Sequence, residues 1–133
     1  MTGGEPPAVL ITHGGLGEEL RRTAEAILGP QTGLAVVSNA GVSLEALRAE
    51  LAAAVPADRP AVLFVDLLGG SCGHACLPLR REREALLVVS GVNLPMLLEF
   101  LYHRGRVPLG ELRERILSRG RDGIRASGWE GLS

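Results

Sequence analysis

The chain has 133 residues, 46% hydrophobic and 22% charged, with a formal net charge of −1. That size and balance fit one globular domain with its own core, and exclude a disordered chain or a basic nucleic-acid surface. Aromatics make up 3%, too few for a base-stacking platform. The basic side chains other than histidine are all arginine, which rules out P-loop, Schiff-base and general-base lysine chemistry.

In chain order, residues 1–7 read as a flexible lead rich in glycine and proline, without the basic start and apolar run of a signal peptide. No later stretch reaches the ~18–20 continuous apolar residues of a membrane span. Cys72 and Cys76 are too few for a secreted disulfide framework, so a cytoplasmic protein is expected. Ala8 to Thr12 reads as a strand apolar on both faces, as in a buried parallel sheet. Leu16, Leu20, Ala24, Ile27 and Leu28 then form one helical stripe, ended by Gly29-Pro30. Leu34 to Val37 is a second strand. Ser43 caps a helix carrying Leu44, Leu47, Leu51 and Val55, with Glu45 in its first turn and Ala46 where a full capping box needs a glutamate.

Ala61 to Val65 is a third apolar run, closed by Asp66. Gly69-Gly70-Ser71 opens a helix that Pro78 is expected to end at about Leu77. Ala85 to Val89 is a fourth strand. Pro95 suits the first turn of a helix running to Tyr102 with Asn93 or Leu94 as its cap, and another helix spans Leu109 to about Arg119. Gly123 to Ala126 reads as a short last strand. Apolar runs alternating with helical stripes predict an α/β domain with a parallel sheet covered on both faces. Ligands bind such sheets beyond the carboxyl ends of the strands, where strand order reverses. Those ends carry Thr12-His13-Gly14, Asp66 with Gly69-Gly70-Ser71, and Ser90-Gly91-Val92-Asn93.

The run Ala8 to Gly15 therefore delivers an imidazole to a sheet edge, with Gly14 and Gly15 leaving access to it. If the first and third strands are neighbours, Asp66 accepts a hydrogen bond from one ring nitrogen of His13. The other nitrogen then keeps its lone pair. Gly69, Gly70 and Ser71 lead into a helix N-terminus, where backbone N–H groups and the dipole favour an anion. An exposed nitrogen nucleophile facing anion donors suits phosphoryl transfer, which needs positioning and charge stabilisation above all. Leu16, Leu67, Leu68 and Met96 are expected to form a shallow apolar rim around the site.

The blocks V-L-I-T-H-G-G-L, V-D-L-L-G-G-S, S-G-V-N-L-P-M-L and G-R-D-G-I-R-A resemble, in order and spacing from about Val9 to Ala126, the IIA domain of the mannose-type sugar phosphotransferase system. The resemblance implies a three-layer domain over residues 8–127 with sheet order 2-1-3-4. It also implies a short C-terminal antiparallel strand, matching Gly123 to Ala126, exchanged in a homodimer, and a tail from 128 to 133. It further implies that His13 takes a phosphoryl group on Nε2 from phospho-HPr and yields it to a IIB component, with IIC and IID membrane proteins reached through IIB. Asp66 would orient the ring, Gly69, Gly70 and Ser71 would lie near the phosphoryl group, and Thr12, His74 and Asn93 are accessory candidates. No cofactor, metal or nucleic acid is expected.

The chain departs from the family pattern at Cys72 and His74, where proline and asparagine are common. Cys72, His74 and Cys76 raise a metal or thiol-redox alternative, but a helix puts the cysteines one turn apart and swings His74 to another face. His103, with Arg104 at the end of an exposed-looking helical turn, reads as solvated or as a helix C-terminal charge, and Arg80, Arg81 and Arg83 among acidic neighbours read as a solvated turn. With only a short tail after residue 127, a stand-alone regulatory phosphorylation sensor of the same fold is the alternative function. The related subunit feeding dihydroxyacetone kinase fits the motif blocks less well.

Overall fold

The computed structural model describes residues 4–133; Met1, Thr2 and Gly3 of the expected lead lie outside the described residues. Nine elements follow one another: β1 (Ala8–Thr12), α1 (Leu16–Leu28), β2 (Leu34–Ser38), α2 (Leu44–Ala54), β3 (Ala61–Val65), α3 (Ser71–Glu82), β4 (Leu86–Ser90), α4 (Leu94–His103) and α5 (Leu109–Asp122). The sheet has the order β2-β1-β3-β4, and every pairing in it is parallel. This is the expected three-layer α/β fold.

Alternation along the strands divides the core. Val9, Ile11, Leu63 and Val65 pack against Leu47 and Leu51 of α2 and Cys72 and Cys76 of α3. Leu10, Val62 and Phe64 point the other way, to Ala24 of α1, Leu97 and Phe100 of α4, and Ile116 of α5. β1 and β3 are buried at every position because helices cover both faces and strands flank both edges. A one-residue slip of such a strand would send every side chain to the opposite layer of the core and break its packing. That rigidity holds the site at their ends.

The helix caps follow local chemistry. The Ser43 hydroxyl accepts from Ala46 N–H at 3.1 Å, and Asn93 Oδ1 accepts from Met96 N–H at 3.0 Å. Asn93 is thus the cap of α4, with Pro95 in its first turn. Gly29 closes α1, its N–H donating to the Glu25 carbonyl.

Two expectations change. α3 runs straight through Pro78 to Glu82 and does not stop at Leu77. Proline removes one N–H donor, and the carbonyl it leaves free belongs to His74, an exposed residue that water can serve. Leu79, beyond the proline, is buried in the core and holds the last turn in place. Second, α5 continues to Asp122. Gly123 to Ala126 is irregular and exposed in the single chain, where no strand pairs with it among the described residues. Within the expected lead, Pro6 and Pro7 are buried, and Pro7 C=O accepts from Val62 N–H at 3.0 Å.

Candidate functional site

β1 and β3 are neighbours in parallel register, Ile11 beside Val65, so the residues just past their ends meet. The chain leaves β1 toward β2 on one side and returns to β3 on the other, which makes this gap the switch point of the sheet. Into it project His13 and Asp66. Asp66 Oδ2 accepts from the backbone N–H of His13 at 2.9 Å, and His13 Nδ1 lies 3.1 Å from both carboxylate oxygens. Leu67 N–H also donates to Asp66 Oδ1 at 2.9 Å. The carboxylate is acceptor-only, so the tautomer that satisfies it carries the proton on Nδ1 and leaves a lone pair on Nε2.

Electrostatics fit that arrangement. Burial works to raise the Asp66 carboxyl, but the backbone N–H of His13, its ring and charge, and the Leu67 N–H outweigh it. The group is held below its ordinary value. The His13 side chain is 37% exposed against 13% for Asp66, so the ring faces solvent while its partner sits beneath it.

Nε2 points toward the start of α3. A Cβ placed on Gly70 would lie 2.8 Å from His13 Cε1 and 2.9 Å from Nε2, so any larger residue there displaces the ring. The first-turn amides of α3 have no intrahelical carbonyl to bond, so they present donors and the positive end of the dipole. Gly69 and Gly70 form the turn before the helix, closed by Gly70 N–H to Leu67 C=O at 3.3 Å.

Ser71 joins the site through a residue the sequence reading missed. Asn39, just past β2, accepts from Gly14 N–H through Oδ1 at 3.0 Å and donates from Nδ2 to Ser71 Oγ at 3.5 Å. Ser38 Oγ donates to Gly14 C=O at 2.8 Å. Gly14 has φ +58°, the left-handed turn that brings the chain back under the ring. Asn39 also closes a strand at the same sheet edge as His13, and that position was its one available signal.

The accessory candidates separate. Thr12 is fully buried, its Oγ1 accepting from Gly17 N–H at 2.7 Å, so it caps the start of α1. Asn93 uses its side chain to cap α4 and to donate to Gly120 C=O at 2.9 Å, tying α4 to α5. His74 is exposed in the first turn of α3, with no side-chain hydrogen bond among the described residues. Leu16, Leu67 and Leu68 are exposed as the expected rim. Met96 is not part of it: the side chain is buried in the core between sheet and helices, because α4 turns that face inward. His103 pairs with Glu99 at 3.2 Å and is not freely solvated.

Cys72, His74 and Cys76 do not converge. Both cysteines are buried and free, on the sheet-facing side of α3. Cys72 instead approaches the central pair: ligand-capable atoms of His13, Asp66 and Cys72 all lie within 4.8 Å of one another. Burial, then the Asp66 charge, push the Cys72 thiol up, opposed by a hydrogen bond with Ser71.

No helix of the described residues is long and apolar enough to cross a membrane. The family model described as PTS system fructose IIA component matches residues 8–117. The mannose-specific EIIAB component of Escherichia coli K12 is 34% identical over 124 residues, covering 89% of this chain; the chain spans 38% of that relative's length. Among solved structures, phosphotransferase component EIIA from Streptococcus agalactiae superposes with a TM-score of 0.84 at 25% identity, covering 90% of this chain and 95% of that one. The mannose/sorbose-specific IIA subunit from Enterococcus faecalis, at 24% identity and TM-score 0.81, shares the fold over 97% of this chain and 99% of its own. Since the family match takes in every strand and nearly all of the helices, the chain belongs to the PTS fructose IIA component family.

Proposed function

We propose that this protein is a phosphocarrier that accepts a phosphoryl group on His13 Nε2 from phospho-HPr and passes it to a IIB component of a mannose-type sugar phosphotransferase system. The observation that carries the reading is the His13–Asp66 pair at 3.1 Å with Nε2 turned toward Gly70 and the start of α3. The Nε2 lone pair attacks phosphorus in line, the nitrogen–phosphorus bond forms, and the bond to the donor breaks. The ring gains positive charge in that step, and the Asp66 carboxylate beneath it offsets the charge. Gly69, Gly70 and Ser71 surround the phosphoryl group, whose oxygens are received by the backbone amides of Gly69 and Ser71, the Gly70 N–H being held by Leu67 C=O. Transfer to IIB runs the same displacement in reverse. Leu16, Leu67 and Leu68, exposed around the ring, give each partner an apolar footing in turn.

The protein works in the cytoplasm as a single domain over residues 8–127 and reaches IIC and IID proteins through IIB. It pairs as a homodimer in which Gly123 to Ala126 adds an antiparallel strand to the partner. Two features support that pairing: β4 is an edge strand, and Ile124, Trp129 and Leu132 stand exposed.

The test is incubation with phosphoenolpyruvate, enzyme I and HPr, read by intact mass. One acid-labile phosphoryl group is expected on the wild type and none on His13→Ala. A variant that is still modified overturns the assignment of His13.

A further inference from the structure

The site contains more chemistry than the phosphocarrier reading uses. Asp66 and His13 account for nucleophile and orienting partner, yet a third donor of a different kind lies against them. Cys72 sits in the first turn of α3 with its side chain fully buried. Its sulfur shares a 4.8 Å sphere with a ring nitrogen of His13 and a carboxylate oxygen of Asp66, the one such grouping of three among the described residues.

The three side chains come from three different segments. β1 delivers His13, β3 delivers Asp66 and α3 delivers Cys72, each at a point where a rigid element begins or ends. The hydrogen bonds from His13 N–H and Leu67 N–H hold the Asp66 carboxylate in place. The His13 side chain is the open wall of the cluster, so a fourth position faces solvent.

We propose that His13, Asp66 and Cys72 form a binding site for a divalent zinc ion, and that zinc and the phosphoryl group are mutually exclusive occupants of His13. One nitrogen, one carboxylate oxygen and one thiolate are a donor set that zinc takes with tetrahedral geometry and bonds of about 2.0–2.3 Å. Ligand atoms around such an ion lie roughly 3.3–3.8 Å apart. The Nδ1–carboxylate distance of 3.1 Å is already close to that spacing. Closing the remaining separation takes a shift of about 1 Å, well within the reach of the half-exposed His13 ring. Water completes the coordination on the open side.

As the zinc–sulfur bond forms, the thiol proton passes to solvent. The zinc–nitrogen bond takes the lone pair of one ring nitrogen, and the single ring proton remains on the other. If zinc takes Nε2, it occupies the phosphoryl acceptor. If it takes Nδ1, the proton moves to Nε2 and Asp66 changes from hydrogen-bond acceptor to ligand. Neither arrangement leaves a lone pair on Nε2 for phosphorus, so exclusion follows from both. The exclusion rests on the phosphocarrier reading proposed above; metal binding by itself does not.

Two measurements on the full chain separate these statements. The first uses cobalt(II) as a spectroscopic stand-in for zinc, reading the thiolate-to-cobalt charge-transfer band. A band is expected for the wild type and for His74→Ala, with displacement by one equivalent of zinc. It is expected to be lost in Cys72→Ala and, independently of any change in the core, in His13→Gln. Absence of the band from the wild type, or its survival in Cys72→Ala or His13→Gln, overturns the site. Loss of the band in His74→Ala overturns it in favour of a site built on the α3 motif. The second measurement follows transfer from purified phospho-HPr, free of enzyme I, with and without zinc. Zinc is expected to slow transfer to the wild type at least about tenfold, reversibly on chelation, and to leave Cys72→Ala unaffected. Equal rates with and without zinc in a wild type that binds the metal overturn the exclusion. A wild type that accepts no phosphate even without zinc removes the phosphocarrier reading and leaves the metal site standing.

Discussion

Asp66 is where charge, hydrogen bonding and chemistry coincide. Its carboxyl is held below the ordinary value by the His13 amide and ring and the Leu67 amide, against the opposing effect of burial. A lowered folded value means that the ionised form contributes stability in full above the unfolded value, about 3.9, and that this is lost as pH falls through the folded value. Asp66→Asn is expected to flatten that acid limb in urea titrations taken between neutral pH and about pH 3. An unchanged acid limb would show that the carboxylate interactions do not contribute. The same variant is expected to slow phosphoryl acceptance by at least roughly 10- to 100-fold, the order seen when a carboxylate orienting a metal-bound histidine is removed.

Two glycines a turn apart give a contrasting pair at the same scale. Gly70 has an extended backbone that alanine adopts freely, but its Cβ would meet the His13 ring. Gly70→Ala is expected to change stability by less than about 1 kcal/mol and to cut the rate of His13 phosphorylation at least about tenfold. Gly73 faces the Leu68 carbonyl too closely for any Cβ, and backbone there cannot swing aside. Gly73→Ala is expected to cost about 1–3 kcal/mol of stability, read by denaturant unfolding. Thus His13 and Asp66 were legible in the sequence, since each ends a buried run. Asn39 was not, and Cys72 was singled out only with His74 and Cys76 and not with His13 and Asp66. Asn39 reaches Gly14 and Ser71 from a neighbouring strand end, and Cys72 reaches Asp66 across a turn; neither contact leaves a mark on local periodicity.

Among the elements, those with an apolar repeat and a capping residue were readable to within a few positions, as α2 with Ser43 and α4 with Asn93 demonstrate. α3 was not, because a proline is a local signal and its tolerance depends on packing elsewhere. Leu79 is buried on the sheet side after Pro78, and the carbonyl freed by the missing donor lies on exposed His74. The helix therefore continues with one fewer internal bond. Pro78→Ala restores that donor and removes the ring from the preceding turn, at a helix position where proline is disfavoured by about 3 kcal/mol in isolation. Part of that cost is already relieved in the native packing. The variant is expected to gain about 1 kcal/mol, measured as a higher unfolding midpoint, with phosphoryl acceptance unchanged. A lower midpoint would mean that the proline ring is itself needed for Leu79 to pack.

Across the whole molecule, the parallel order β2-β1-β3-β4 puts the proposed phosphoryl site and the main buried cation at opposite ends of the sheet. The carboxyl end of the strands carries His13 beyond β1. At the other end, before β1 and β2 begin, the guanidinium of Arg104 is buried at the end of α4. It donates to Pro6 C=O at 3.3 Å, Thr32 C=O at 2.7 Å, Gly33 C=O at 3.4 Å and Gln31 Oε1 at 2.9 Å. Its charge lies 5.5 Å from the Phe100 ring centroid and 3.7 Å from exposed Glu5. Burial lowers the Arg104 value, with Glu5 opposing. One side chain thereby ties the segment before β1, the turn before β2 and helix α4 into a single corner. Sequence reading placed Arg104 in solvent, because a cation beside His103 gives no sign that four acceptors wait for it in distant segments. Arg104→Met keeps much of the apolar stem but strands those acceptors, each a buried or partly buried group that loses its donor. The expected loss is about 3–5 kcal/mol, the sum expected when several partly buried acceptors lose their donor at about 1–3 kcal/mol each, partly offset by water. The reactive end lies about 16 Å away along a five-residue strand, too far for the corner to touch the His13–Asp66 geometry. Below its lowered melting temperature, Arg104→Met is therefore expected to accept phosphate at the wild-type rate. A folded variant with slowed transfer would show that the corner sets the strand ends as well as the stability.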